Sequence, residues 1–175
     1  MKIYVDATTL IALGTIDGCS HLTTFDGEVA VFPAVLAELT TEPARTNVSD
    51  LIENDEIAIA SPSPDDYLHR ARSMLDESTV NGDVHLIAAV LRSKDESWPV
   101  AIVSADRRIR TVAGGLGAAV TGTIGVVVRA VEEGLPPDRG RELVERIDAH
   151  GLHMTAELRE KAYSLVNSPA DRSPE

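Results

Sequence analysis

Four carboxylates stand where an alternating α/β chain would do chemistry. Asp6 closes the apolar run "KIYV", and Asp106 follows the run "VAIVS" by two residues. Asp83 opens "DVHLIAAVL", where positions 83, 87, 90 and 91 share one helical face. That face reads Asp83, Ile87, Val90 and Leu91, so a carboxylate heads an apolar stripe. Such a group is costly to bury unless it is paired or bound to a metal. Glu38, in "AVLAEL", falls beside Ala34 and Val35 on the inner side of its helix. Each acid also has a plainer role. Asp6 and Asp106 suit helix N-caps, Asp83 suits the positive end of a helix dipole, and Glu38 suits the wet rim of an apolar face. Brought together, the four would repel and raise one another's pKa unless a cation neutralised them. A donor set of oxygens without His or Cys fits Mg²⁺ or Mn²⁺. Two such ions activate water and stabilise the leaving oxygen in phosphodiester hydrolysis.

The elements that must position these acids follow from periodicity. Strands are expected at 2–6, 28–32, 56–60 and 100–104, with a last short strand in "GAAVTGT". A helix over 8–16 takes Thr8 as its N-cap, and Pro33 opens another through "AVLAELT". Further helices are expected at about 63–77, 81–94 and 106–114, and in "IGVVVRAVEEGLPP", which Gly134, Pro136 and Pro137 stop. Two amphipathic helices fit 138–150 and 155–167, and residues 41–55 are assigned no element. Strands spaced by helices imply an α/β fold with a mainly parallel sheet and helices on both faces. In such sheets ligands bind at the carboxyl ends of the strands.

The chain has 175 residues, enough for one sizeable core, and a formal net charge of −12. Lysine occurs only at positions 2, 94 and 161; the remaining basic residues are arginine. Acidity, scarce lysine and abundant Ala, Val and Thr suggest a salt-rich, halophilic cytosol. There the acidic surface would not exclude a nucleic-acid partner, because molar salt shortens the screening length to about 3 Å. No apolar run reaches the ~20 residues of a membrane span, and Asp6 interrupts the N-terminal apolar stretch, so a cytoplasmic protein is expected. The single cysteine, Cys19, excludes an internal disulfide and a cysteine-built zinc site, and is expected to be a small buried apolar residue.

Three arginines follow Asp106. Arg110 shares its helical face and is a candidate either to pair with it or to contact a phosphate. Arg107 and Arg108 are expected to point elsewhere, into solvent. "AGGLGA" lacks the Lys-Ser/Thr of a P-loop and reads as a helix end. His85 lies on a different face from Asp83 and is not expected to be a ligand, and Trp98 reads as a packing or loop residue.

These motifs in this order resemble the PIN domains. "VDATTLIAL" resembles their opening, "VLAEL" the second acidic motif, "GDVHLIAAVL" the third and "VSADRRIR" the fourth. "GLGAAVTGTIGVVVRAVEEGLPP" and "GLHMTAELREKAYSLV" resemble a prokaryotic subgroup with a Gly-Thr-x-Gly segment and a C-terminal helical extension. The resemblance implies an α/β/α sandwich and a metal-dependent endoribonuclease, with Asp6, Glu38, Asp83 and Asp106 as catalytic, metal-binding acids and Mg²⁺ or Mn²⁺ as cofactor. Thr8 and Ser104 would be the supporting hydroxyls; Ser104 stands where Thr is commoner, and the hydroxyl is kept. Implied partners are an RNA substrate, an antitoxin and a second copy of the chain in a homodimer. The catalytic domain would span 1–135, the extension 136–167 and a disordered tail 168–175. The rival is a catalytically silent PIN-like module that binds protein or RNA. A phosphate-accepting receiver domain also clusters acids at strand ends, but "AAVTGT" lacks the late-strand lysine it needs.

Overall fold

The computed structural model describes residues 1–150 and 152–168; the rest of the expected tail, 169–175, lies outside the described residues. Strand β1 (Lys2–Val5) leads into helix α1 (Ala7–Thr15), and a 3-10 turn over Cys19–Thr24 carries the chain to β2 (Glu28–Val31). Helices α2 (Pro33–Glu38) and α3 (Ala44–Glu53) precede β3 (Ala58–Ile59). Helices α4 (Asp65–Leu75) and α5 (Gly82–Glu96) lead to β4 (Val100–Val103), and α6 (Arg107–Gly115) to β5 (Ala119–Thr121). Helices α7 (Thr123–Glu132), α8 (Pro137–His150) and α9 (Ala156–Asn167) follow.

The strands form one parallel sheet in the order β3-β2-β1-β4-β5. Right-handed crossovers fix where the helices lie. The chain steps one way from β1 through β2 to β3 and the other way from β4 to β5, which puts the connecting helices on opposite faces. Accordingly α1 packs on α3, α7 and α8, whereas α5 packs on α4 and α6. With both faces covered, central strands need continuous apolar runs. β4 is buried along its whole length and β1 from Ile3 to Val5. The order reverses between β1 and β4, which pair from Lys2↔Val100 to Val5↔Val103. That is the switch point at which open α/β sheets bind ligands, and Asp6 and Asp106 stand just beyond its two strands.

Two elements differ from expectation. Helix α3 fills the stretch assigned none; only Ala44 and Val48 bury fully, a stripe too narrow to mark it among polar neighbours. Strand β3 is shorter than "EIAIA" because Glu56 and Ile57 donate their amides to the Leu51 carbonyl, wrapping the start of that run onto α3. At the other end of the chain, a Cβ on Gly140 would come within 2.6 Å of Val131 Cγ2 and 2.7 Å of Val166 Cγ1. The absence of a side chain there lets α7, α8 and α9 meet, and Val144, Ile147, Ala162 and Val166 join the main core. Among the described residues no helix is long and apolar enough to cross a membrane.

Candidate functional site

Asp6 is nearly fully buried, with 4% of its surface exposed. It is the N-cap of α1, and its Oδ1 accepts the Thr9 amide at 2.7 Å. Its Oδ2 accepts the Ser104 hydroxyl at 2.6 Å and the Ala105 amide at 3.0 Å. These donors compensate the burial of a charge. A carboxylate offers about four lone-pair sites, so one direction on Oδ1 stays open.

Ser104 is the joint between the two central strand ends. It is fully buried, and its amide donates to Thr121, holding the chain to β5 beyond the end of β4. Its hydroxyl donates to Asp6 and accepts the Asp106 amide at 3.0 Å. Asp106 then caps α6, its Oδ1 accepting the Arg108 amide at 2.6 Å, and the residue is exposed. Arg110 does not pair with Asp106: its Nη1 donates to the Ser104 carbonyl, beside the space that Gly122 leaves open. That carbonyl, not the carboxylate one turn away on α6, takes the guanidinium.

The other two acids come from the neighbouring helices. Asn81 caps α5 by accepting the Val84 amide, which fixes Asp83 in the first helical turn. Glu38, exposed at the last position of α2, accepts the Gly82 amide through Oε1 at 3.3 Å. Gly82 is required there, since a Cβ would stand 2.8 Å from Glu38 Oε1 and 2.9 Å from Val35 Cγ2. The glycine therefore brings the C-terminus of α2 against the N-terminus of α5, and with them Glu38 and Asp83.

The four carboxylates share one electrostatic field. Burial pushes the Asp83 carboxyl up, the charges of Asp106 and Asp6 add to it, Arg108 opposes them and Glu38 adds again, leaving it at about 6. Such an array of oxygen donors around an under-compensated negative charge fits a hard divalent cation. The side chains do not form a closed cage: among the described residues no three His, Cys, Asp or Glu side chains are placed to hold a metal. The resident counter-charge is Arg108, which donates to the Leu75 carbonyl and Glu77 and reaches to 3.8 Å from Asp83.

Several expectations change here. Thr8 is not the N-cap; Asp6 takes that place, and Thr8 is exposed within the first turn of α1. The buried hydroxyl of that turn is Thr9, 3.3 Å from the Thr123 hydroxyl. Arg108 is not free in solvent but ties α6 to the end of α4. No spacing along the sequence signals Arg108, since its partners lie 25 or more residues upstream. Asn81 was legible as a cap residue ahead of an apolar helix. Cys19 is buried, its thiol donating to the Leu10 carbonyl and pushed up to about 12 by burial. His85 packs on the Phe32 ring with centroids 5.3 Å apart, and burial holds its pKa below the usual value.

The profile of the DUF3368 family, described as a PIN domain, matches residues 2–168. No curated protein matches the chain.

Proposed function

Because the chain belongs to the PIN-domain family, a fold of nucleases, we propose that it is a divalent-metal-dependent endoribonuclease. The observation that carries this reading is the gathering of Asp6, Glu38, Asp83 and Asp106 at the sheet's switch point, where burial first, and then the charges of Asp106, Asp6 and Glu38, raise the Asp83 carboxyl. These residues would hold Mg²⁺ or Mn²⁺. Bound there, the ion would supply an activated water and charge stabilisation for the leaving oxygen of an RNA phosphodiester.

The chain's own residues orient and exclude. Ser104 and the Ala105 amide fix Asp6 in one orientation, with an Oδ1 direction open. The Ser104 hydroxyl also holds the Asp106 amide, so two metal-binding acids are set by one side chain. A carboxylate of the quartet would take the proton of the attacking water. Thr8, exposed beside Asp6 in sequence, is the second supporting hydroxyl in this reading. Residues 1–135 would carry the chemistry and 136–167 the extension. As a toxin the protein would be a homodimer held by an antitoxin, and a small adjacent gene for a DNA-binding protein would support that role.

The test is cleavage of a mixed RNA pool at high salt, with Mn²⁺ against EDTA, for the wild type and for Asp6→Asn and Asp106→Asn. Metal-dependent cleavage lost in both variants is expected, and an undiminished rate in either would refute the mechanism. The second reading is a silent RNA- or protein-binding module. Calorimetry separates the two, because the silent module would not take up metal.

A further inference from the structure

A groove of about 680 Å³ opens beside the carboxylates, within the range of ligand sites. It shares a residue with them: Ala105 lines the groove while its amide holds Asp6. Arg110 lines it too, its guanidinium steadied on the Ser104 carbonyl. Another part of the lining comes from Leu152, His153 and Met154 and from α9, including Lys161. That part is built, not loose. Asp148 of α8 accepts the Met154 amide at 2.8 Å and pairs with Arg159 of α9, which sets the turn between the two helices.

The charge of the groove runs against that of the chain. In a protein of net charge −12, Arg110, Arg129 and Lys161 line it against a single acid, Glu132. Arg129 is engaged by Glu133 and the Thr24 carbonyl. Arg110 uses one of its five N–H donors on Ser104, and Lys161 is exposed. Phe25, half-buried, adds an aromatic side chain to the lining. Cations along a backbone track and an aromatic face for a base are how single strands are held.

We propose that this groove binds the single-stranded RNA segment flanking the scissile phosphate, with Arg110 and Lys161 on successive phosphates and Phe25 against a base. The inference rests on the nuclease reading and gives it a substrate track. A strand with its phosphodiester at the acids would continue past Ala105 into the groove, where Arg110 and Lys161 stand on a largely apolar lining. The C-terminal extension is then one wall of the substrate site.

The experiment measures binding of a short fluorescent single-stranded RNA by anisotropy, in EDTA and across a salt series. The proteins are the wild type, Lys161→Ala, Arg110→Gln and the remote Lys94→Ala. Lys161→Ala and Arg110→Gln should each weaken binding about three- to tenfold and each reduce the salt slope by about 0.7, the value of one single-strand phosphate contact. Lys94→Ala should bind as the wild type does. Groove variants that match Lys94→Ala would overturn the proposal, and so would loss of binding to a polyglutamate probe with RNA binding intact, which would mark a protein-docking surface. Lys161 is exposed, so its substitution tests the groove even if Arg110→Gln fails to fold. Cleavage of the RNA pool by the wild type is scored separately. If the wild type cleaves while the variants bind normally, only the groove fails; if it does not cleave while the variants bind weakly, only the nuclease fails.

Discussion

Replacing Asp83 by Asn should stabilise the metal-free protein at neutral pH, which is the reverse of the usual result for a half-buried polar substitution. The magnitude follows from the site. The Asp83 carboxyl is raised from 3.8 to about 6, and each unit is worth about 1.4 kcal/mol, so full charging costs up to ~3 kcal/mol. The side chain is 31% exposed, and solvent screening reduces that figure to ~1–2 kcal/mol. Asn forfeits the favourable charge in the first turn of α5, worth ~0.3–1 kcal/mol. A net gain of about 1 kcal/mol remains, or roughly 2–4 °C in Tm at this chain length. The pH dependence fixes the sign. A carboxyl raised on folding contributes stability that is complete below its unfolded pKa and is lost as pH rises through its folded one. The wild type should therefore lose stability between about pH 4 and pH 6 through this group, and the advantage of the variant should appear over that same window. Thermal melts in EDTA on both sides of the window are the assay. Added Mn²⁺ should then stabilise the wild type by ~2.7 kcal/mol of binding linkage at a hundred times Kd, raising its Tm, and leave Asp83→Asn nearly unmoved. A variant less stable at neutral pH, or a difference that ignores pH, would refute the shared field.

Ser104→Ala leaves the Asp106 amide without its acceptor and Asp6 with one donor fewer in a fully buried place; a loss of ~1–3 kcal/mol in denaturant melts is expected, and a change under about 0.5 kcal/mol would contradict it. Gly82→Ala sets a methyl against Val35 and Glu38 and should cost ~1–3 kcal/mol; a crystal structure of the variant should show the Gly82 amide contact to Glu38 broken, and an unmoved α2 would count against that account. Arg108→Gln removes the cation nearest Asp83, so the Asp83 carboxyl should titrate still higher; carbon-detected NMR measures this, and a fall would mean that Arg108 does not act on Asp83.

The sheet was legible because a parallel strand covered on both faces must be apolar throughout, and "KIYV" and "VAIV" stand out for that reason. The positions of Asp6 and Asp106 were legible from the same boundaries, and both acids cap the helices that follow the two central strands. What lay hidden depends on contacts between elements distant in sequence. Arg108 meets Leu75 and Glu77 only because α6 packs beside the end of α4. Gly82 fell inside the helix expected over 81–94, and its closeness to Val35 appears only once α2 and α5 are brought together. Helix α3 was missed because its buried stripe is two residues wide among polar neighbours. Thr8 was misassigned through the same logic that favours Asp as a cap: two residues able to cap stood two positions apart, and Asp6, the one joined to Ser104, took the place.

The capping role of Asp106 and its proposed metal role would use different atoms, so they are not alternatives. Oδ1 accepts the Arg108 amide and closes the N-terminus of α6. The second oxygen of this exposed side chain is the one that would meet a ligand in the proposed site. Two substitutions separate the roles. Asn caps a helix about as well as Asp, so Asp106→Asn should keep the stability of α6 while removing the anionic donor. Asp106→Ala removes the cap as well and should cost ~1 kcal/mol more in denaturant melts. Calorimetric Mn²⁺ binding should fall in both variants, by a similar factor. If Ala and Asn differ in metal affinity as much as they differ in stability, then the metal is sensing the order of α6 and Asp106 is only its cap. If they agree in affinity and differ in stability, one carboxylate serves the helix with one oxygen and the site with the other.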